Sequence, residues 1–141
     1  MTILVDTREQ APLAFSFPSR RATLPFGDYA CELDEGTVVP LFFERKSIPD
    51  LFGTMSKGYE RFRRMLRKAA EAEVKIIIII EGSLRKVLRG YARSQRSGTS
   101  IVKQLYTIRA VYGVEIVFCQ DRLEMSQHIY HCFDAYRRMK T

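Results

Sequence analysis

The sequence has no CxxC pair, no long hydrophobic run, no internal repeat and no low-complexity tract, and each absence removes a class of protein. Its three cysteines, Cys31, Cys119 and Cys132, are odd in number and far apart, so neither a disulfide framework nor a zinc ribbon is suggested. They suit a reducing interior as small core or surface residues. No apolar stretch approaches the roughly 20 residues of a membrane-spanning helix. The N-terminal segment meets a charge at Asp6, too soon for a signal peptide. The expectation is an unexported protein with no membrane contact, cytoplasmic or nuclear, with the cytoplasm preferred. Nothing in the composition marks a linker, so residues 1–141 are expected to form one domain.

What is present fits a basic globular chain. A hydrophobic fraction of 46% allows a real core, and 23 Lys and Arg against 16 Asp and Glu give a net charge of +7. That balance biases the chain towards polyanions without saying which one.

Residues 3–6 form a short β-branched run that ends in the polar cluster Asp6-Thr7-Arg8-Glu9, a strand with chemistry at its end. Pro18, Pro25 and Gly27 punctuate the stretch after it. Residues 28–33 alternate as a half-buried strand, Asp34-Glu35-Gly36 makes a turn, and residues 37–46 return as the second arm of a hairpin. Ser47 can cap a helix with Pro49 in its first turn and Asp50 as the capping-box acid, and Gly53 or Gly58 can break it. Residues 59–72 have helical spacing, with Tyr59, Phe62, Met65, Leu66 and Ala69 on one face and a cationic outer side. The five isoleucines of residues 76–80 mark a strand buried on both faces. Gly82-Ser83 then caps a short helix to residue 89. Residues 91–98 read as a basic loop, mobile or binding, 101–112 as a helix, 114–119 as a strand and 123–139 as a long helix. Alternation of strand and helix in the second half implies an α/β sandwich.

Glu44 and Lys46 stand two apart on a strand, so both emerge on one face, about 7 Å apart at the backbone, while Arg45 points the other way. A carboxylate that ligates a cation beside an ammonium that neutralises charge or positions water is a sound arrangement for metal-assisted hydrolysis. Asp28, beginning the neighbouring strand, can supply a second carboxylate. Magnesium is commonly held by one or two carboxylates together with waters and substrate phosphate oxygens.

Three segments carry a family resemblance: Val5-Asp6-Thr7-Arg8-Glu9, Gly27-Asp28-Tyr29, and Glu44-Arg45-Lys46-Ser47-Ile48-Pro49-Asp50. In order and spacing they resemble the XPF-type nuclease domain of structure-specific endonucleases, within the restriction-endonuclease-like superfamily. The resemblance implies a three-layer α/β/α sandwich around a central mixed sheet and a Mg2+- or Mn2+-dependent DNA endonuclease. The implied substrate is a branched or junction duplex such as a flap, a fork or a Holliday-like junction, cut in repair, recombination or replication. It implies that Asp6, Asp28 and Glu44 line the metal site with Glu9 close by, that Lys46 is catalytic, and that Arg45 and Asp50 support the site. It also implies a homodimer, or a partner subunit that supplies helix-hairpin-helix DNA binding. Two alternatives are an inactive DNA-binding scaffold subunit and a restriction-type sequence-specific nuclease. The chain departs from the family where Gly58 is followed by Tyr59 rather than arginine, and no tandem helix-hairpin-helix domain is expected after its last helix.

Several of these residues have plainer readings. Asp50 is explained equally by capping, and Glu44 with Lys46 taken alone by a surface charge pair. The basic helix is ordinarily a solvated face, yet its position after the site favours phosphate contact by Arg61, Arg64, Arg67 and Lys68, together with Arg8, Arg93 and Arg96. His128 and His131, three apart on the last helix, lack further ligands nearby. Met125, Ile129, Cys132, Phe133 and Tyr136 on the same helix form a core or dimer face.

Overall fold

A computed structural model describes residues 1–139, arranged as one six-stranded mixed sheet with helices on both sides. The strands are β1 (Thr2–Asp6), β2 (Ser19–Ala22), β3 (Tyr29–Glu32), β4 (Leu41–Lys46), β5 (Lys75–Glu81) and β6 (Glu115–Cys119). Their order across the sheet is β2-β1-β3-β4-β5-β6. β3 runs antiparallel to both β1 and β4, whereas β1 with β2, β4 with β5 and β5 with β6 are parallel.

The isoleucine run explains the layering. Strand side chains alternate between faces, and in β5 Ile76, Ile78 and Ile80 enter one core while Ile77 and Ile79 enter the other. The first core is roofed by α1 (Ile48–Met55), α2 (Tyr59–Glu71), α3 (Leu84–Leu88) and α4 (Gly98–Tyr112). The second is covered by α5 (Arg122–Met139), through Met125, Ile129 and Phe133, and by the segment around Leu13. Phe133 meets Phe43 of β4 edge-on at 5.3 Å between ring centres. The expected α/β/α sandwich is the observed architecture. Among the described residues no helix is long and apolar enough to cross a membrane.

The helix starts follow local chemistry. The hydroxyls of Ser47, Ser83 and Ser97 accept hydrogen bonds from the amides of Asp50, Lys86 and Ser100, satisfying N–H groups that a first turn leaves unpaired. The first helix ends at Met55, and Ser56 to Gly58 make the break.

Two sequence expectations need correction, and one strand was not foreseen. Residues 19–22 carry no strand pattern yet form β2, an exposed edge strand whose order comes from parallel pairing with β1 rather than from any apolar pattern. The expected strand over 37–46 begins only at Leu41, with Val38 making an isolated bridge to Glu32. α4 begins at Gly98, three residues before the expected start. Gly98 lies so close to α3 that a Cβ would meet the Val87 carbonyl oxygen at 2.2 Å, so a poor helix former is required there by packing.

Candidate active site

β1, β3 and β4 converge where the two antiparallel pairings end, and the turn before β3 brings the acids together. Gly27 adopts a left-handed φ of +65°, and a Cβ on it would lie 2.7 Å from the Phe43 carbonyl oxygen. Only glycine fits this position without displacing backbone. The close approach lets the Asp28 amide donate to that same carbonyl at 2.7 Å, while the Asp28 carbonyl accepts from the Asp6 amide at 2.9 Å. Asp28 is thereby stitched between β1 and β4.

A cleft of about 440 Å³ opens here, lined by Asp6, Arg8, Asp28, Glu44, Lys46 and Arg61 and walled by Pro25, Phe26, Phe62 and Met65. Lys46 Nζ lies 3.6 Å from Glu44 Oε1, and both side chains are largely enclosed, at 15% and 14% exposure. The ammonium also sits 5.6 Å from the centre of the Phe62 ring, which fixes it from the α2 side. The Asp28 carboxylate accepts from the Arg45 amide at 2.8 Å.

Burial pushes the Asp28 carboxyl up to about 6, against the Arg45 amide and with added repulsion from Glu9. Burial, followed by repulsion from Asp28, pushes Glu44 up to about 7, with Lys46 opposing. Two carboxyls held together in a recess disfavour double ionisation, and a divalent cation relieves that conflict. Their oxygen donors fit magnesium or manganese, which commonly take one or two protein carboxylates and keep several waters. Among the described residues, no group of three or more His, Cys, Asp and Glu gathers as a metal site. The carboxylates that could hold a cation here are those of Asp28 and Glu44, both lining the cleft.

The other expected site residues divide into three groups. Asp6 lines the cleft and is 1% exposed, but its carboxylate is fully engaged by neighbours. It accepts from the Arg8 amide, from Arg8 Nε at 2.7 Å and Nη2 at 3.2 Å, and from the Leu24 amide at 2.9 Å. Burial raises its carboxyl, and those hydrogen bonds overcome the rise to hold it below the ordinary value.

Glu9 and Arg45 lie on the opposite side of the sheet from Lys46. Arg45 grips Glu9 with two nitrogens, at 2.8 and 3.0 Å, and the Tyr29 hydroxyl donates to Glu9 at 2.7 Å while accepting from the Leu13 amide. Burial raises the Glu9 carboxyl, but Arg45 and Tyr29 outweigh it and hold it below the usual range. Arg122 of α5 donates to the carbonyls of Ala11 and Pro12, completing a brace beneath the site. Tyr29 and Arg122 escaped sequence reasoning; the Tyr that follows Gly27-Asp28 on a buried strand is the only hint of the first.

Asp50 is exposed on the first turn of α1 and does not line the cleft; its amide donates to the capping Ser47 hydroxyl, and its side chain stands as an acid in that first turn. Of the expected DNA-contacting residues, Arg8 and Arg61 line the cleft, and Arg64, Arg67, Lys68 and Arg93 are exposed. Arg96 requires correction. Its guanidinium donates to the Met55 carbonyl, Ser100 and Gln104, which commits it to tying α1 to α4. His128 and His131 join no metal-ligating cluster among the described residues.

Comparison with known proteins agrees with this fold. Residues 5–132 match a family model described as the ERCC4 domain. No curated protein sequence matches the chain. Among solved structures, XPF from Aeropyrum pernix is similar at a TM-score of 0.70 and 21% identity, over 92% of this chain and 61% of that one. XPF from Aeropyrum pernix in complex with DNA is similar at a TM-score of 0.75 and 20% identity, over 97% of this chain and 65% of that one. At such identities the likeness establishes the fold, the restriction-endonuclease-like sandwich. The chain spans less than two thirds of the length of either structure.

Proposed function

The chain belongs to the ERCC4 domain family, and from that premise we propose that it is a magnesium- or manganese-dependent DNA endonuclease cutting branched duplexes. The observation that carries the reading is the pairing of Asp28 and Glu44, both pushed towards protonation, beside Lys46 in an open cleft with cationic edges. That combination answers the needs of phosphodiester hydrolysis, and the plainer surface charge pair does not account for its burial.

Asp28 and Glu44 would hold the cation, which when bound lowers the pKa of a water and offsets charge on the phosphate. Lys46 stands next to Glu44, where it orients the attacking water or counters the charge that develops on the phosphorane oxygens. Arg8 and Arg61 flank the cleft and suit phosphate oxygens, giving backbone contacts that position DNA without reading its sequence. Glu9, Arg45 and Tyr29 act from behind: they fix the β4 backbone whose Arg45 amide holds Asp28. Branched DNA as the substrate, a role in repair or recombination, and a homodimer or a partner contributing further DNA binding complete the proposal. The solved structure of a relative in complex with DNA supports the DNA-directed part.

The test is a panel of a flap, a fork, a four-way junction and a linear duplex, each incubated with magnesium, manganese or a chelator. Metal-dependent cutting of the branched members is expected. The Glu44→Gln variant should be slower by about a hundredfold or more, the scale of losing one charge-stabilising group. Undiminished cutting by that folded variant, or none by the parent chain on any substrate, would reject the reading.

A further inference from the structure

The sequence resemblance places Asp6 among the metal-lining acids, but its hydrogen bonds describe another task. A carboxylate has about four lone-pair directions. At Asp6 they are all taken: Oδ1 accepts from the Leu24 amide and Arg8 Nη2, and Oδ2 from the Arg8 amide and Nε. None is left for a cation while this arrangement stands. The acid itself is 1% exposed, whereas the Arg8 side chain is 72% exposed and lines the same cleft as Asp28 and Glu44.

Arg8 is committed on one edge only. Nε and Nη2 meet Asp6, and Nη2 also reaches the Leu24 carbonyl at 3.4 Å; no hydrogen bond among the described residues uses Nη1. A long exposed arginine ordinarily samples many rotamers and loses that freedom on binding. Here the two-pronged grip of a buried carboxylate removes the freedom in advance, and the planar guanidinium retains its outer edge for an anion.

We propose that Asp6 is a positioning residue, which holds Arg8 as a preorganised phosphate clamp at the rim of the cleft and does not ligate the metal. The inference rests on the nuclease reading above. It narrows the metal site to Asp28 and Glu44 and assigns the buried acid at the end of β1 to substrate binding through Arg8.

Two binding measurements on the full chain test this without recourse to turnover. Mn2+ affinity is read by electron paramagnetic resonance for the parent, D28N, E44Q and the double variant D6N/R8Q. The double variant removes the ion pair with no change in net charge, and the carboxamide it introduces keeps an oxygen for the Leu24 amide. Its Mn2+ affinity should stay within about twofold of the parent, whereas D28N and E44Q should each lose at least about tenfold, the size seen when even supporting groups of a metal site are removed. Affinity for a fluorescein-labelled forked duplex in calcium is then measured against salt. R8Q should lower the log–log slope by about 0.9, the value for one phosphate contact. D6N should weaken binding in the same direction, and D6N/R8Q should be no weaker than R8Q alone. That non-additivity is what a merely structural role for Asp6 would not produce.

A tenfold or greater loss of Mn2+ affinity in D6N/R8Q would overturn the proposal in favour of ligation by Asp6. Additive losses of DNA affinity in D6N and R8Q would also overturn it. Failure of the nuclease reading shows elsewhere, as unchanged Mn2+ affinity in D28N and E44Q or as absent cutting by the parent chain.

Discussion

Asp28 and Glu44 illustrate how far single residues can be read. Glu44 and Lys46 could be put on one face by strand periodicity alone, and the ion pair at 3.6 Å follows from that spacing. What periodicity could not supply was burial, which depends on the turn at Gly27 and on α2 closing over Lys46. Nor could it separate Asp6 from the pair, because the arginine that engages Asp6 follows it two residues later and looks like any loop cation.

The raised carboxyls have a consequence for stability. Asp28 and Glu44 have folded values of about 6 and about 7 against ordinary values of 3.8 and 4.5. Since the folded chain binds these protons more tightly, their contribution is fully present below about pH 4 and is lost as pH rises through 6 and 7. Asp6, Glu9, Asp34 and Asp134 are shifted the opposite way and work against this trend. The clean readout is therefore a difference: in metal-free buffer, the Tm of D28N/E44Q should rise relative to the parent between pH 4 and pH 8. Manganese at pH 8 should raise the parent's Tm and leave the double variant's unchanged. A constant Tm difference across that pH range would show that the pair is not strained by its own charge.

Among the elements, those with a hydrophobic period were legible and those ordered by a neighbour were not. β5 announces itself through five isoleucines, and α2 through its apolar stripe of Phe62, Leu66 and Ala69. β2, Ser-Arg-Arg-Ala, has no apolar side to show, because it is an edge strand with charged residues and pairs on one side only. The segment before α4 misled for a related reason. Its basic residues suggested a binding loop, but Arg96 spans from the last carbonyl of α1 to Ser100 and Gln104 of α4. A helix C-terminus favours such a cation, and an interior donor set of this kind is costly to remove. Arg96→Ala should accordingly destabilise the fold by about 1–3 kcal/mol, measured by urea denaturation. It should leave the salt dependence of DNA affinity as it is in the parent. A changed salt slope with parental stability would return Arg96 to the DNA-contacting set.

For the molecule as a whole, the net charge of +7 predicts attraction to polyanions but not where it acts. The helix α2 resolves part of this. Arg61 lines the cleft, and Arg64 and Lys68 lie three and seven residues further along, on the same side of a helix that turns every 3.6 residues. Arg63 and Arg67 instead lean towards the Tyr112 hydroxyl of α4, and with Arg63 the larger influence they lower its pKa. The cationic surface therefore has a leading stripe that continues the cleft and a second row held against a neighbouring helix. If DNA follows the stripe, the triple variant R61Q/R64Q/K68Q should lower the slope of log affinity against log salt by up to about 2.7, near 0.9 for each phosphate released. It should weaken binding to unrelated sequences alike, since backbone contacts carry no base information. R67Q, at a position on the Tyr112 side of α2 and off the stripe, should change the slope by clearly less than any one residue of the stripe. Equal effects from R67Q and from R64Q would mean that the charge acts as a diffuse field and that the cleft does not continue along α2.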